Sequence, residues 1–281
     1  MQTVLIGCDP EFAMYNKRTG EGISSIGIIP GSKEHPEPVK GSTVGLKIQP
    51  DNVTVEMNIT PVRVGEFAKA VTLGFAELRE EVMRLTDSSI ALYAGDSFEY
   101  PEAALRVPEA VTLGCNPDQL AHMRGEMRPP PKAADFGNRR MLAGHIHIGY
   151  NKEEVPIPDW AVVQGAEALA YVPLFLESGI DVQEYRREFY GVPGLFRSKP
   201  YGFEYRTPCS YWIRTPRVVD DFAEVVEVIV NNPLKFQDIW SRINFKEVHE
   251  LIALNGISSR RRATLATLRE LREELMETAN G

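Results

Sequence analysis

Hydrophobic and polar positions alternate most clearly in the segment DNVTVEMNIT, residues 51–60. Its four apolar side chains fall on one face of a strand, and its polar side chains fall on the opposite face. We therefore predict a half-buried strand here. Shorter β-rich runs, broken by Gly and Pro, predict further strands at about residues 3–7, 11–15 and 23–29, in AGHIHIGY (143–150) and in FEYRTP (203–208), with a loop at 30–41.

Apolar residues three and four positions apart predict helices after these strands. A stripe from Phe67 to Leu85 predicts a helix that packs on one face of the sheet, and the apolar run at about 158–178 predicts a buried helix. Thr215 as N-cap and Pro216 in the first turn predict a helix that runs through Val230 and ends at Asn-Asn-Pro. The leucine stripe Leu265, Leu268, Leu271 and Leu275 predicts an amphipathic C-terminal helix at about 258–278.

The overall composition is that of an ordinary globular protein, with 281 residues, 43% of them hydrophobic and 25% charged. No linker or repeat divides the chain, so we expect one large domain. The net charge of -8 argues against broad nucleic-acid or membrane-surface binding. The start of the chain lacks the basic region of a signal peptide, and we expect a cytoplasmic protein. Three cysteines form no Cys-x-x-Cys pair and are interpreted as buried structural residues: Cys8, Cys115 and Cys209.

Residues 124–140, RGEMRPPPKAADFGNRR, contain three successive prolines and five basic side chains against two acidic ones. This composition predicts an exposed, mobile basic loop. A lid over a nearby site, or a place for a local anionic acceptor, remains open for the same loop.

Four separate strand-like stretches each carry two polar side chains at positions i and i+2. Because side chains alternate along a strand, both members of a pair point to the same face. One such pair alone has a structural explanation, either as a turn or as a cross-strand salt bridge. Four pairs in one chain favour a single functional face instead. The pairs are Asp9 with Glu11, Glu56 with Asn58, His145 with His147, and Glu204 with Arg206.

The residue types in these pairs point to a particular chemistry. Clustered carboxylates repel one another unless a cation lies between them, and an oxygen-rich site with few imidazoles suits Mg²⁺ or Mn²⁺ better than zinc. Arginines beside such a cluster provide the bidentate donors that a triphosphate needs. The pattern therefore predicts phosphoryl transfer.

Several motifs resemble those of a known family. GCDPEF, DNVTVEMNI, AGHIHIGY and above all YGVPGLFRSKPYGFEYRTP look like the phage-type carboxylate-amine ligases. These enzymes form the amidoligase branch of the glutamine synthetase and glutamate-cysteine ligase superfamily. The resemblance covers about residues 5–215. It departs at Ala143, where we expect a glycine or a more polar residue, and the helix after residue 245 has no counterpart.

The resemblance implies an α+β fold, a curved and mainly antiparallel sheet backed by helices, as in the glutamine synthetase catalytic domain. Residues 1–245 would form the catalytic domain, and residues 246–281 a helical extension of it. The concave face would bind ATP with two or three Mg²⁺ ions, or Mn²⁺. A substrate carboxylate would take the γ-phosphate, and an amine would then attack the acyl phosphate to give an amide.

Carried over residue by residue, the resemblance also implies roles for the site residues. The metal-binding carboxylates would be Glu11, Glu56 and Glu204, with Asp9 as a further candidate. Catalytic contacts to phosphate and developing charge would come from Arg197, Arg206 and His147. The cofactor would also be contacted by Lys199, Asn58 and His145.

Two other classes stay open at this point. A metal-dependent hydrolase would use His145 and His147 as ligands, although the other three histidines lie at no metal-ligand spacing. A non-catalytic nucleotide-binding or scaffold protein would keep the fold without turnover. The sequence also leaves open the oligomeric state, including a homo-oligomer, and the substrates. The carboxylate and the amine could belong to a small molecule, a peptide or protein, or a modified nucleobase.

Overall fold

The computed structural model of the chain describes residues 1–111, 117–181, 183, 185–254 and 262–278. In this part of the chain, twelve strands form one sheet, and two more form a small separate sheet. All strand pairs described are antiparallel, and helices pack on the large sheet. The predicted α+β class, with a mainly antiparallel sheet backed by helices, is confirmed.

The strands are β1 (Leu5–Asn16), β2 (Gly22–Ile23), β3 (Glu37–Pro38), β4 (Lys47–Asp51), β5 (Thr54–Asn58), β6 (Val62–Arg63), β7 (Ile90–Tyr93), β8 (Ser97–Glu99), β9 (Asp118–Leu120), β10 (Glu126–Arg128), β11 (Arg139–Met141), β12 (Gly144–Gly149), β13 (Leu195–Lys199) and β14 (Gly202–Tyr205). The main path through the large sheet is β10-β9-β13-β14-β12-β1-β5-β4-β3. Strands β2, β6 and β7 also pair with β1, and β8 pairs with β11.

The helices are α1 (Phe67–Leu85), α2 (Pro108–Val111), α3 (Asp159–Ala166), α4 (Arg217–Asn231), α5 (Pro233–Trp240), α6 (Phe245–Ala253) and α7 (Arg262–Glu277). Helix α3 continues with wider, π-type winding over Glu167–Leu176. Short 3-10 turns lie at Glu102–Leu105, Ala121–Met123, Ala133–Phe136, Lys152–Glu154, Arg186–Glu188 and Ser210–Arg214.

Strand β1 is one continuous element where the sequence predicted two strands separated by a turn. Pro10 has no N–H to donate to a ladder, yet it lies opposite Gly144 of β12. Strand β5 lies on the other side of β1 and pairs with it only at Glu11 and Phe12. The strand passes through the proline because the pairing with β5 begins one residue later, so it needs no donor from Pro10. Asp9 and Glu11 therefore stay on one face, as alternation requires.

Two other strand predictions need correction. Within the predicted strand 51–60, Asn52 has a positive φ of 55° and lies in a turn, so the strand itself covers only Thr54–Asn58. Of the predicted strand 23–29, only the first residue is paired. Its remainder turns, because the amides of Ile28 and Ile29 both donate to the carbonyl oxygen of Ser25.

The 124–140 segment is more ordered than a mobile loop. It contains β10, a 3-10 turn and the start of β11. Arg140 is only 4% exposed and donates to the carbonyl oxygens of Gly137, Arg139 and Ala110. Most described side chains of the segment are exposed or partly buried, as predicted, but Phe136 and Arg140 are buried, and backbone carbonyls replace water as the partners of Arg140.

The helix predictions are confirmed in position, with differences at the ends. Helix α1 matches the Phe67–Leu85 stripe. Helix α4 ends at Asn231 as predicted, but its N-cap is Pro216, and no side chain caps it, so the Thr215 cap is wrong. The leucine stripe of α7 is buried against the helix layer, although the predicted start at 258 lies outside the described residues.

The core lies between the sheet and the helices. Alternate side chains of β1, such as Ile6, Phe12 and Met14, are fully buried there, and Phe12 contacts Phe75 of α1. Under β14, Tyr205 stacks on Phe222 of α4 with ring centroids 5.2 Å apart. The residues between these core positions must therefore face the opposite side of the sheet.

Cys8 and Cys209 are buried, as predicted, and burial raises the pKa of both thiols. Cys115 lies outside the described residues. No helix in the described ranges has the length and apolar content that crossing a membrane requires. The division into a catalytic part, 1–245, and a C-terminal extension, 246–281, stays a prediction.

Candidate functional site

A cavity of about 290 Å³ opens on the sheet face that points away from this core. All ten residues selected from the sequence line it, which shows that the i, i+2 pairs share one face. They lie on five neighbouring strands, β13, β14, β12, β1 and β5, or, for Arg206, directly after β14. They are Asp9, Glu11, Glu56, Asn58, His145, His147, Arg197, Lys199, Glu204 and Arg206.

Strand register places these residues directly beside one another. Gly144 lets β12 start close to the chain after Arg206, since a Cβ at this position would lie 2.2 Å from the carbonyl oxygen of Cys209. Any other residue at position 144 would therefore push β12, which carries His145 and His147, away from Cys209. The cross-strand partners are Asp9 with His145, Glu11 with Glu56, and Glu204 with both His147 and Arg197.

Asp9, His145 and Glu204 form the first of two candidate cation sites, which we call the histidine-containing group. Each offers one ligand atom, and these atoms lie within 4.8 Å of one another. Asp9 Oδ1 lies 3.3 Å from His145 Nδ1 and 3.1 Å from His147 Nε2. Burial opposes ionisation of both carboxylates, but the two histidines hold the pKa of Asp9 well below its usual range. Arg206 contributes most to lowering the pKa of Glu204 to about 2.

Glu11, Asp51 and Glu56 form the second site, the all-carboxylate group, with their ligand atoms also within 4.8 Å of one another. Burial, followed by the charge of Asp51, raises the pKa of Glu11 to about 8. Burial and the neighbouring carboxylates, Asp9 first, raise the pKa of Glu56 well above its usual value. Arg186 offsets this effect at Glu11 only in part, because the pKa of Glu11 stays raised.

Two amides hold Glu56 in place. Gln49 Nε2 donates to Glu56 Oε1 at 2.9 Å, and Asn58 Nδ2 donates to the same oxygen at 3.0 Å. Asn58, which was predicted to contact the cofactor, thus hydrogen-bonds to a carboxylate of the all-carboxylate group. On the neighbouring strand, Glu11 Oε2 accepts a hydrogen bond from the backbone amide of Ala143 at 3.0 Å.

A cationic wall of Arg197, Lys199 and Arg206 flanks the histidine-containing group. Lys199 Nζ lies 2.7 Å from Glu204 Oε2, and Arg197 Nη1 lies 3.8 Å from Glu204 Oε1. Arg206 is 6% exposed, and the negative charges of Glu204 and Asp118 raise its pKa against the effect of burial. Three cationic side chains thus converge on one carboxylate beside the cavity.

Glu204 and Arg206 also contact each other directly, through Glu204 Oε1 and Arg206 Nη1. The sequence pattern predicts that these charges serve a bound group and does not reveal the internal ion pair between them. The pair satisfies both charges in the protein alone, because burial makes an uncompensated charge costly. A ligand that uses either residue must compete with this contact.

His147 lies at the outer edge of the same group. Its Nδ1 is 2.5 Å from the Tyr201 hydroxyl, while its Nε2 faces Asp9. Burial opposes protonation, but Asp9 raises the pKa of His147 above its usual value. For His145, burial followed by the charge of Arg206 lowers the pKa. The pKa values of the two histidines at i and i+2 are therefore shifted in opposite directions.

Sequence reasoning missed four residues of the site. Gln49 and Asp51 form another i, i+2 pair in KIQPD, a signal that Pro50 obscured. Arg186 is 1% exposed and lines the cavity, with Nη1 donating to the carbonyl oxygen of Thr207 at 2.7 Å. Asp118, from β9, contacts two arginines of the cationic wall. Neither Arg186 nor Asp118 belongs to a recognisable strand pattern in the sequence.

The other three histidines do not line this cavity. His122 and His249 lie against each other, with ring centroids 4.6 Å apart, and burial lowers the pKa of both. The histidine ligands available to a hydrolase in this cavity are therefore His145 and His147, within the part of the chain that the structure describes.

Comparison with known proteins gives a match to one family model. Residues 136–252 match the family model described as phage phiEco32-like COOH.NH2 ligase-type 2. The resemblance to the phage-type carboxylate-amine ligases is confirmed. The match supports a ligase role, an enzyme that joins a carboxyl group to an amine. The matched span contains the histidine pair, the cationic wall and Glu204, whereas the all-carboxylate group and Asp9 precede it.

Other comparisons add less. A solved structure described as a novel glutamine synthase homolog aligns with 100% of this chain and 68% of its own, at 10% identity and a TM-score of 0.41. An overlap of this extent supports no conclusion about fold or function. A search among curated proteins gives no significant match.

Proposed function

We propose that this protein is an ATP-dependent carboxylate-amine ligase. The observation that supports the proposal is one cavity in which two groups of carboxylates lie beside Arg197, Lys199 and Arg206. Carboxylates that hold cations, next to arginine and lysine, form the usual environment of a polyphosphate in a phosphoryl-transfer enzyme. The matched family joins the same classes of groups, a carboxyl and an amine.

In the proposed reaction, a substrate carboxylate oxygen attacks the γ-phosphorus of ATP, and the bond to the β-phosphate oxygen breaks. The products of this step are an acyl phosphate and ADP. The amine nitrogen then attacks the acyl carbon, the bond to the phosphate oxygen breaks, and the nitrogen loses a proton. The net products are an amide, ADP and phosphate.

The donor sets of both groups fit divalent cations. One offers two carboxylates and an imidazole, and the other offers three carboxylates, which suits Mg²⁺ or Mn²⁺. The raised pKa values of Glu11 and Glu56 support this fit, because a cation is what would keep these side chains ionised near neutral pH. Bound there, such ions would neutralise triphosphate charge. We propose two ions and leave a third open.

The chain's own side chains would do the remaining work. Arg197 and Arg206 present guanidinium groups suited to phosphate oxygens, and Lys199 adds a point charge. Positioning and charge stabilisation of this kind supply most of what phosphoryl transfer requires of a protein. His147, held between Asp9 and Tyr201, lies where it can orient a reacting group or move a proton.

The proposal names the two substrates only by their chemical class. The donor is a carboxylate, and the acceptor is an amine on a small molecule, a peptide or a modified nucleobase. The net charge of -8 gives no general attraction to polynucleotides, so recognition would depend on the cavity itself.

The proposal is tested by ADP release with a panel of carboxylic acids, Mg²⁺ and hydroxylamine. Hydroxylamine is a strong nucleophile that traps an acyl phosphate as a hydroxamate, so the acceptor amine need not be known. We expect ADP and hydroxamate in equal amounts with at least one acid. Mass analysis of the product with a panel of amines then identifies the acceptor.

Two results would count against this function. Calorimetry that shows no binding of Mg²⁺-ATP would favour a non-catalytic protein. Tightly bound zinc, found by metal analysis and accompanied by hydrolysis without ATP, would favour the hydrolase built on His145 and His147.

A further inference from the structure

Asp118 lies behind the cationic wall and contacts two of its arginines. Its Oδ1 is 2.9 Å from the Nε of Arg197 and 2.9 Å from the Nε of Arg206. Asp118 is 4% exposed, so neither contact is much screened by water. One carboxylate oxygen therefore links two guanidinium groups that the proposed function assigns to phosphate.

We propose that Asp118 is a positioning residue that holds Arg197 and Arg206 in the orientation needed for phosphoryl transfer. This inference rests on the proposed function. Asp118 itself would touch neither ATP nor the substrate, and it would act only through the two arginines.

The charges explain why such a residue is needed. Both Nε atoms lie 2.9 Å from the same oxygen, so they are separated by no more than twice that distance. Two guanidinium cations this close together in a buried site repel each other strongly. The shared carboxylate offsets this repulsion, as the negative charges of Glu204 and Asp118 do in raising the pKa of Arg206. Without Asp118, the two guanidinium groups would lose their shared orientation while both charges stay near the phosphates.

Asp118 contacts the two arginines through atoms that leave their other donors available. It contacts the Nε side of each guanidinium, while Nη1 of each faces Glu204, at 3.8 Å for Arg197 and in direct contact for Arg206. The Nη donors thus stay directed to the side where Glu204 lines the cavity. A guanidinium is a rigid, planar fork, so fixing its Nε side fixes the direction of its other donors.

The position of Asp118 is itself fixed by the sheet. Strand β9 pairs with β13, and Phe196 lies opposite Gln119. Gln119 Oε1 accepts from the backbone amide of Ser198 at 2.7 Å, which adds a second link between the two strands. Asp118 therefore comes from an anchored strand next to Arg197, a firm base for orienting two side chains.

The inference predicts opposite effects on binding and on turnover. Replacing Asp118 by Asn removes a negative charge near the phosphates, so the affinity for Mg²⁺-ATP should stay the same or increase. The turnover number should fall about 100-fold, because a displacement of about 1 Å in a catalytic group has an effect of this size. Structural damage alone would weaken binding and turnover together.

The experiment compares Asp118→Asn with wild type and with Asp220→Asn as a matched control. Asp220 is also a buried carboxylate, but it lies away from the cavity and accepts from the amides of Gly65 and Ala68 at the start of α1. Thermal unfolding measures the stability of each variant. Calorimetry with a non-hydrolysable ATP analogue and Mg²⁺ measures binding, and ADP release measures turnover. NMR of the arginine Nε–H groups reports the environment of Arg197 and Arg206.

We expect Asp118→Asn to lose turnover about 100-fold, keep or tighten nucleotide binding, and shift two arginine Nε signals. We expect Asp220→Asn to lose stability and keep its turnover at temperatures where it is folded. The inference is overturned if Asp118→Asn turns over like wild type, or if its binding and turnover fall in proportion. A wild-type protein that neither binds Mg²⁺-ATP nor releases ADP overturns the proposed function and this inference with it.

Discussion

The two candidate cation sites lie in one cavity but balance their charges in different ways. In the histidine-containing group, Glu204 contacts Arg206 and Lys199, and Asp9 contacts both histidines. The pKa values of its carboxylates are accordingly low. In the all-carboxylate group, the nearest charges to Glu11 and Glu56 are mostly other carboxylates, and the pKa values of both glutamates are raised.

This difference shows which part of the site is complete without a bound cation. The histidine-containing group is held by internal ion pairs, and a ligand must displace or share them. In the all-carboxylate group, Arg186 and the neighbouring amides compensate the charge only in part, so this group is suited to take up protons or metal ions from solution. We therefore expect changes in the two groups to have different, and in part opposite, consequences.

The largest effect should come from the first group, through Glu204→Gln or Arg206→Ala. Either change removes a charge from the buried pair that flanks the proposed phosphate site, so ADP release should fall about 1,000-fold. Steady-state kinetics would measure it. Arg217→Ala, which breaks an exposed ion pair with Asp221, serves as the control and should turn over normally. Wild-type rates of ADP release in either site variant would remove that residue from the mechanism.

In the absence of metal, substitutions in the two groups should change the free energy of unfolding differently. Glu204→Gln removes the buried carboxylate that contacts both Arg206 and Lys199, with only Asp118 still beside Arg206, and should lower the free energy of unfolding by about 3 kcal/mol. Glu11→Gln should have little effect or stabilise, because Glu11, with a pKa of about 8, is mostly protonated at pH 7. Thermal unfolding in the presence of EDTA would measure both. Equal destabilisation by the two changes would contradict the comparison.

Much of the site could be predicted from the sequence, because strand alternation alone assigns Glu56, Asn58, His145 and His147 to one face. The partners of these residues could not be predicted. Asp118 reaches the arginines only because β9 pairs with β13, a contact between distant parts of the chain. In the same way, Pro10 signals a turn in isolation, and only its pairing with Gly144 of β12, a distant part of the chain, shows that β1 continues through it.

The pH dependence of stability should also differ between the groups. Glu11 is more basic in the folded chain than in the unfolded one, so the folded state binds more protons between pH 4.5 and about 8. Its contribution to stability is therefore full at low pH and is lost as the pH rises through about 8. The lowered pKa values of Asp9 and Glu204 act in the opposite direction, so their contribution to stability is lost as the pH falls, through about 2 for Glu204.

Unfolding measured from pH 5 to 9 would test the Glu11 contribution. In EDTA, the difference in stability between wild type and Glu11→Gln should grow from pH 5 to about pH 8 and then level off. Mg²⁺ should reduce that difference, because a cation stabilises the ionised carboxylate. A difference that is constant across this range would mean that Glu11 titrates as an ordinary glutamate.

The smallest effect should come from Asp51, the member of the all-carboxylate group that the sequence pattern did not reveal. Asp51→Asn keeps the shape of the side chain and one oxygen acceptor but removes a charge, so Mg²⁺ affinity should fall about tenfold, or about 1.4 kcal/mol. Calorimetric titration with Mg²⁺ would measure this loss. Glu109→Gln, outside the cavity, is the matched control and should bind normally. If Asp51→Asn also binds normally, the second site depends on Glu11 and Glu56 alone, and its excess negative charge has another purpose.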